Sequence, residues 1–204
     1  MANNIRWEHF PMTFYTTKFD ETNFNLPKNW NKKIIIPEIE KDISENLEQN
    51  PNWNCNVKTN FNKKKNCLEK YKKVYIGLVY EFLHSLKIID RRCKIIIPKI
   101  WYNIYYQGDY QESHTHWPDH FSFIHYVEYD PEVHSSTIFQ NPSMYGTLFN
   151  STQFEDRMFE NTKTFNVEEN SVVCFPSCVP HYVPRNESGK RRISVSFNAN
   201  VIFD

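Results

Sequence analysis

The sequence predicts a mainly β domain with flanking helices, its strands folded back on one another as a sandwich or barrel. Three observations carry this. Aromatic residues make up 16% of the 204-residue chain, and aromatic side chains favour strands. From residue 94 onward, short segments rich in Ile, Val, Tyr and Phe are punctuated by Pro, Asn, Ser and Gly, with no helical spacing between them. Helical periodicity is confined to the first ninety residues, so strands and helices are segregated and do not alternate as in a parallel doubly wound sheet.

Residues 1–90 read as an N-terminal α/β layer wrapped on the rest, and 91–204 as the β core, the two making one structural domain. A strand is expected around 11–17 and a helix over 37–48. Between 66 and 87, Leu68, Tyr71, Tyr75, Leu78, Phe82 and Leu86 recur at three- and four-residue steps, the pattern of a helix with one buried face. Its opposite face carries Lys70, Lys72 and Lys73, which with Lys63, Lys64 and Lys65 form the densest basic cluster. Further strands are expected near 94–106, 112–117, 121–129, 137–140, 164–167, 171–175 and 191–203. The last is the clearest. Ile193, Val195, Phe197, Ala199, Val201 and Phe203 share one parity, and Arg192, Ser194, Ser196, Asn198 and Asn200 share the other, so one face packs while the polar one meets solvent or lines a cavity.

Composition removes several function classes. Lys plus Arg and Asp plus Glu both number 24, so no overall field recruits nucleic acid or an anionic membrane, although a local basic cleft from 63–73 and 185–192 stays open. Four glycines argue against a Gly-rich phosphate cradle. Neither a targeting signal nor an apolar run of ~18 residues is apparent. The five cysteines lack paired CxxC spacing and read as reduced thiols, which together predict a cytoplasmic protein.

Five of the eight histidines fall between His114 and His134. His114 and His116 are two apart, so on a strand both imidazoles leave the same face and reach one metal ion; His181, after an apolar strand and a Pro-bracketed turn, supplies a third. Three imidazoles hold zinc, or iron with positions left open. Arg192 and Ser194 share a face of the last strand and present a planar fork plus a hydroxyl, which suits a carboxylate. Asn103 and Tyr105 form another same-face pair, followed by Gly108, where the chain turns toward His114.

These residues resemble the 2-oxoglutarate- and Fe(II)-dependent dioxygenases over about residues 94–203. The resemblance rests on His181 with Arg192-Ile-Ser194 after ten intervening residues, and on Asn103-Ile-Tyr105, Gly108 and then His114, which is similar to the approach in AlkB-type enzymes. GDYQESHTHWPDHFSFIHYV and VVCFPSCVPHYVPRNESGKRRISVSFN further resemble a group of bacterial and phage oxygenases of this superfamily. The resemblance implies a double-stranded β-helix (jelly-roll, cupin-like) core, and Fe(II) held by His114, His116 and His181. It further implies 2-oxoglutarate gripped by Arg192 and Ser194 with Asn103 and Tyr105 beside it, O2 as oxidant and ascorbate as reductant. Hydroxylation of a small molecule or a protein or peptide substrate, with release of succinate and CO2, would follow.

One departure stands out: the family's ligand Asp is His116 here. Asp119 is the alternative third ligand, and Glu112, of the same strand parity, a partner that orients an imidazole. His120 and His125 read as packing or rim residues. Two other readings stay open: a cupin-like three-His metal dioxygenase that does not use 2-oxoglutarate, and a non-catalytic jelly-roll binding module.

Overall fold

The computed structural model describes residues 12–44, 55–63, 66–87, 92–142 and 161–203. In chain order its first elements are β1 (Tyr15–Lys18), α1 (Ile36–Ser44), β2 (Lys58–Thr59), α2 (Lys72–Ser85), β3 (Cys93–Ile96) and β4 (Ile100–Tyr105). There follow β5 (Gln111–His114), β6 (Phe121–Glu128), β7 (Ile138–Gln140), β8 (Thr162–Lys163), β9 (Ser171–Pro176), β10 (His181–Val183) and β11 (Arg192–Phe203). The strands form two antiparallel sheets. The larger runs β1-β9-β6-β11-β4-β2, with β3 also paired to β11, and the smaller runs β5-β10-β7-β8.

The alternation of β11 fixes how the layers stack. Ile193, Val195, Phe197 and Ala199 pack against Tyr75, Leu78 and Phe82 of α2 in the main core, each such apolar side chain contributing about 1.5–3 kcal/mol by burial. Arg192, Ser194 and Ser196 face the other way, into the space between the sheets. β4 repeats this division, with Ile100, Tyr102 and Ile104 in the helix-side core and Trp101, Asn103 and Tyr105 on the inner face. At the end of β4, Gly108 adopts φ +87°, a left-handed turn that its missing Cβ makes cheap, and its N–H donates to Asn186 O at 2.7 Å.

Several expected boundaries move for physical reasons. The segment 94–106 is two strands, because Pro98 has no N–H to give to a ladder, and the two pair with opposite ends of β11. The strand expected at 112–117 covers 111–114, so His116 lies beyond it. No strand forms over 164–167; the two-residue β8 precedes that segment, and the short β2 and β10, unforeseen, exist through their pairing with β4 and with β5 and β7. The first strand covers 15–18, residue 11 lying outside the described residues. The first helix covers 36–44 after a π turn over Asn31–Ile35, and its expected continuation to 48 lies outside the described residues. α2 follows a 3-10 turn at Glu69–Tyr71.

The N-terminal residues wrap the helix side and also enter the sheet: β1 pairs with β9 and β2 with β4. Three lysines of the basic cluster are paired with carboxylates. Lys63 pairs with Asp42 (3.1 Å), Lys70 with Glu38 and Lys72 with Glu69 (both 2.7 Å); Lys64 and Lys65 lie outside the described residues. Lys190 and Arg191, just before β11, are likewise paired, Lys190 with Asp130 (2.6 Å) and Arg191 with Glu128 and Glu40 (2.9 and 2.7 Å). Among the described residues, no helix is long and apolar enough to cross a membrane.

Candidate active site

The two inner sheet faces line a cavity bounded by Trp101, Asn103 and Tyr105 from β4, Arg192, Ser194 and Ser196 from β11, and Gln111, His114, His116 and His181 from the opposite side. Strand register sets its order. Arg192 lies opposite Tyr105, Ser194 opposite Asn103, and Ser196 opposite Trp101. At ~3.4 Å per residue, Arg192 and Ser196 stand ~14 Å apart along β11.

At the Trp101 end, three imidazoles converge. His114 and His181 are register partners on β5 and β10, and one ligand atom from each of His114, His116 and His181 lies within 4.8 Å of the others. His116 arrives from beyond β5, placed by its N–H bond to Ser177 O (2.8 Å) and its ring contact with Trp101 (5.3 Å between centroids). The two strand histidines have fixed tautomers. His114 Nδ1 donates to Glu112 O at 2.8 Å and His181 Nδ1 to Val179 O at 3.0 Å, which leaves a lone pair on each Nε2. Burial lowers the pKa of all three, pushing His116 down to about 3, with neighbouring imidazoles adding to the effect at His116 and His181. Three neutral nitrogen donors are the state in which a divalent transition metal is bound.

Asp119 has another task. Its carboxylate accepts from Asn198 Nδ2 (2.7 Å) and Asn200 Nδ2 (2.8 Å), and its N–H donates to His116 O (3.1 Å). It clamps the turn that carries His116 to β11, and it is not part of the metal-ligating group found among the described residues. Glu112 does not share the inward parity either. Two steps of β10 from His181 to Val183 match three steps of β5 from His114 to Gln111, a bulge that brings Gln111 to the inner face. Glu112 touches His114 through its backbone carbonyl.

Gln111 is the cavity residue that the spacing did not disclose. It is buried, accepts from Tyr105 Oη at 2.6 Å, and turns its amide nitrogen to His114 Nε2 at 3.5 Å. Burial holds the Tyr105 phenol above its usual pKa, so it is a donor at neutral pH. Asn103 also lines the cavity; in the amide orientation that satisfies its neighbours it donates to Thr59 Oγ1 (3.0 Å) and accepts from the Trp101 indole (3.3 Å).

The far end belongs to Arg192, 2% exposed. Its guanidinium lies 5.1, 5.2 and 5.7 Å from the rings of Tyr105, Tyr126 and Tyr129, and donates at 3.2 Å to both Ser135 O and Thr137 Oγ1. Its Nε has no partner, and no ion pair joins it to a carboxylate among the described residues. A buried cation without a counter-ion is costly, and an anion in the cavity would offset that cost.

His125 and His120 serve packing. His125 is fully buried on the helix side, between Tyr75 Oη (3.2 Å) and Asn31 Nδ2 (3.3 Å), whereas His120 Nδ1 accepts from Val201 N (3.2 Å). All five cysteines are free thiols, Cys174 buried and Cys178 exposed.

Residues 99–198, the segment that forms this cavity, match the sequence model of a family described as "Putative 2OG-Fe(II) oxygenase". The chain carries a 2OG-Fe(II) oxygenase domain. Solved structures share the fold of this oxygenase. A prolyl-4-hydroxylase from Pseudomonas putida is 12% identical, with 92% of this chain and 91% of that one covered and a TM-score of 0.58. HygX from Streptomyces hygroscopicus, solved with nickel and 2-oxoglutarate bound, is 9% identical over 93% and 83%, at a TM-score of 0.55. The viral collagen prolyl hydroxylase vCPH of Paramecium Bursaria Chlorella virus-1, in a 2OG complex, is 13% identical over 91% and 95%, at 0.51. A search of curated protein sequences finds no match. The oxygenase assignment replaces the reading as a non-catalytic jelly-roll module.

Proposed function

We propose that this oxygenase is a 2-oxoglutarate-dependent hydroxylase whose Fe(II) is held by His114, His116 and His181. The observation that carries the reading is Arg192: a buried guanidinium with an unpartnered Nε, at one end of a cavity whose other end gathers three neutral imidazoles. A dicarboxylate fits both ends. Arg192 and Ser194 would hold its distal carboxylate by charge-assisted donors, Tyr105 and Asn103 would wall its middle, and the metal would take its 2-oxo acid end.

The residues fit the group on their own chemistry: two fixed Nε2 lone pairs, neutral rings, and a cation in want of an anion. When bound, iron and 2-oxoglutarate supply the oxidation, in which O2 and the cosubstrate yield succinate and CO2 and one oxygen atom enters a substrate C–H bond. The protein's share is orientation and exclusion of water. The tyrosine ring contacts around Arg192 keep that end dry, and the Asp119 clamp holds the His116 turn. Ascorbate would serve as a reductant for iron oxidised in unproductive turnover. The substrate is a small molecule or a peptide, met in the cytosol, where free cysteines stay reduced.

The test is anaerobic titration of the Fe(II)-loaded chain with 2-oxoglutarate, followed by succinate measurement after O2 is admitted. Saturable binding and at least slow succinate release are expected. Iron binding without any affinity for 2-oxoglutarate would turn the assignment to the three-His dioxygenase that uses no cosubstrate.

A further inference from the structure

The β5 bulge places a polar side chain where neither strand parity nor packing requires one. Gln111 is buried, and both ends of its amide are constrained. Tyr105 Oη donates to Oε1 at 2.6 Å, which fixes the amide so that Nε2, with its two hydrogens, faces the histidines. The acceptor found there is His114 Nε2, at the long distance of 3.5 Å. That nitrogen carries the lone pair, because His114 Nδ1 is engaged as a donor to Glu112 O. It is also the atom a metal at the three-His site would take. Metal binding therefore removes the acceptor of a buried amide, and among the described residues no other acceptor for Gln111 Nε2 is present. A buried donor left unmatched is destabilising. The loss is avoided if the metal brings an oxygen or other lone-pair ligand to the position beside His114.

We propose that Gln111 is a catalytic residue of this oxygenase: its side-chain amide donates a hydrogen bond to the anionic or oxygen-atom ligand bound to the metal next to His114, with Tyr105 fixing its orientation. This rests on the three-His metal reading and deepens it. Three neutral imidazoles leave the whole charge of the metal to be balanced by exogenous ligands, and Gln111 is the neutral donor that selects and orients one of them. An amide suits that place better than a carboxylate, which would itself occupy the metal and close the position.

The experiment measures ligand binding, not turnover. The full chain, Gln111→Leu, Gln111→Glu and Tyr105→Phe are each loaded anaerobically with Fe(II), and in parallel with Co(II). Metal stoichiometry is determined, and 2-oxoglutarate and azide are then titrated by visible absorption. Gln111→Leu is expected to keep one metal per chain with an affinity within about threefold of the parent. Its dissociation constants for azide and 2-oxoglutarate should rise roughly ten- to a hundredfold, the loss of one charge-assisted hydrogen bond. Gln111→Glu, nearly isosteric, should bind metal more tightly and azide far less, and it serves as the measure if the leucine variant does not fold. Tyr105→Phe should weaken azide binding less than Gln111→Leu, because the amide is freed but retained.

Full metal loading with unchanged azide and 2-oxoglutarate affinities in Gln111→Leu would overturn the proposal and leave the metal reading intact. Failure of the parent chain to bind either metal would overturn both. Azide binding that depends on Gln111, in a chain that ignores 2-oxoglutarate, would support the donor role while ending the cosubstrate reading.

Discussion

The two faces of the larger sheet bury polar groups in opposite ways. On the helix side, His125 is enclosed by a network that nearly closes on itself: Asn31 donates to His125 Nε2 and to Asn170 Oδ1, and His125 Nδ1 donates to Tyr75 Oη, leaving one neutral oxygen, Asn31 Oδ1, unmatched. On the cavity side, the groups left short of partners are a full positive charge at Arg192 and an amide donor at Gln111 whose acceptor a metal would claim. A neutral orphan costs about 1–3 kcal/mol, whereas a buried charge without a counter-ion costs several. The comparison separates a polar cluster that holds the fold together from one whose complement must come from outside.

The sharpest way to break this distinction is to delete one histidine from each side. His181→Ala should abolish stoichiometric iron, a loss of a hundredfold or more given that even outer-shell partners are worth 10–100-fold, with a metal-free thermal midpoint close to the parent. His125→Leu should do the reverse, keeping one metal per chain in an iron assay while lowering stability in urea by about 2–4 kcal/mol through stranding Tyr75 and Asn31. Iron lost from His125→Leu, with the fold intact, would erase the division.

Next in size is the charge. Arg192→Lys retains the cation but not the planar fork, and should raise the 2-oxoglutarate dissociation constant tenfold or more through loss of ~1.5–3 kcal/mol. Calorimetric titration of the metal-loaded variant checks it, and unchanged affinity would move the carboxylate site elsewhere. Asp119→Ala loosens the His116 turn without touching the metal, so metal affinity should fall roughly tenfold. Asp119→Asn should recover part of that in a competition assay with a chelator, since one of its two acceptor positions remains.

The smallest effect is a slope. Burial pushes the His125 pKa down to about 3. Its folded value lies below the unfolded ~6.5, so the unfolded chain binds more protons between these limits. The contribution of neutral His125 is fully present above pH 6.5 and is lost as the pH falls toward 3, by at most ~1.4 kcal/mol per pH unit. Urea midpoints measured from pH 7 to 4 should fall less steeply for His125→Gln than for the parent. Parallel curves would show that this histidine is not held neutral.

Much of the cavity was legible because β11 writes its two faces in two chemistries. The alternation of Ile193, Val195 and Phe197 with Arg192, Ser194 and Ser196 needs no knowledge of the partner strands. The spacing of His114, His116 and His181 could be read in the same way, although His116 reaches the cluster from outside its strand. What could not be read depends on residues remote in sequence. The bulge that turns Gln111 inward exists only in register with β10, seventy residues later. The role of Asp119 is set by Asn198 and Asn200, and Lys63 and Lys70 lose their patch to Asp42 and Glu38 of α1. Local periodicity carries no record of any of these pairings.

The position of β11 has a consequence for the order of assembly. The strands paired with it, β3, β4 and β6, all precede it in the chain, and β4 and β6 pair with it instead of with each other. As the polypeptide is synthesised, the middle of the larger sheet stays open until residues 192–203 have been made. Arg192 arrives with that strand, so a truncated or stalled product lacks the buried cation of the cavity. Contacts of such long sequence separation are slow to form, which makes the cavity between the sheets among the last parts of this molecule to exist.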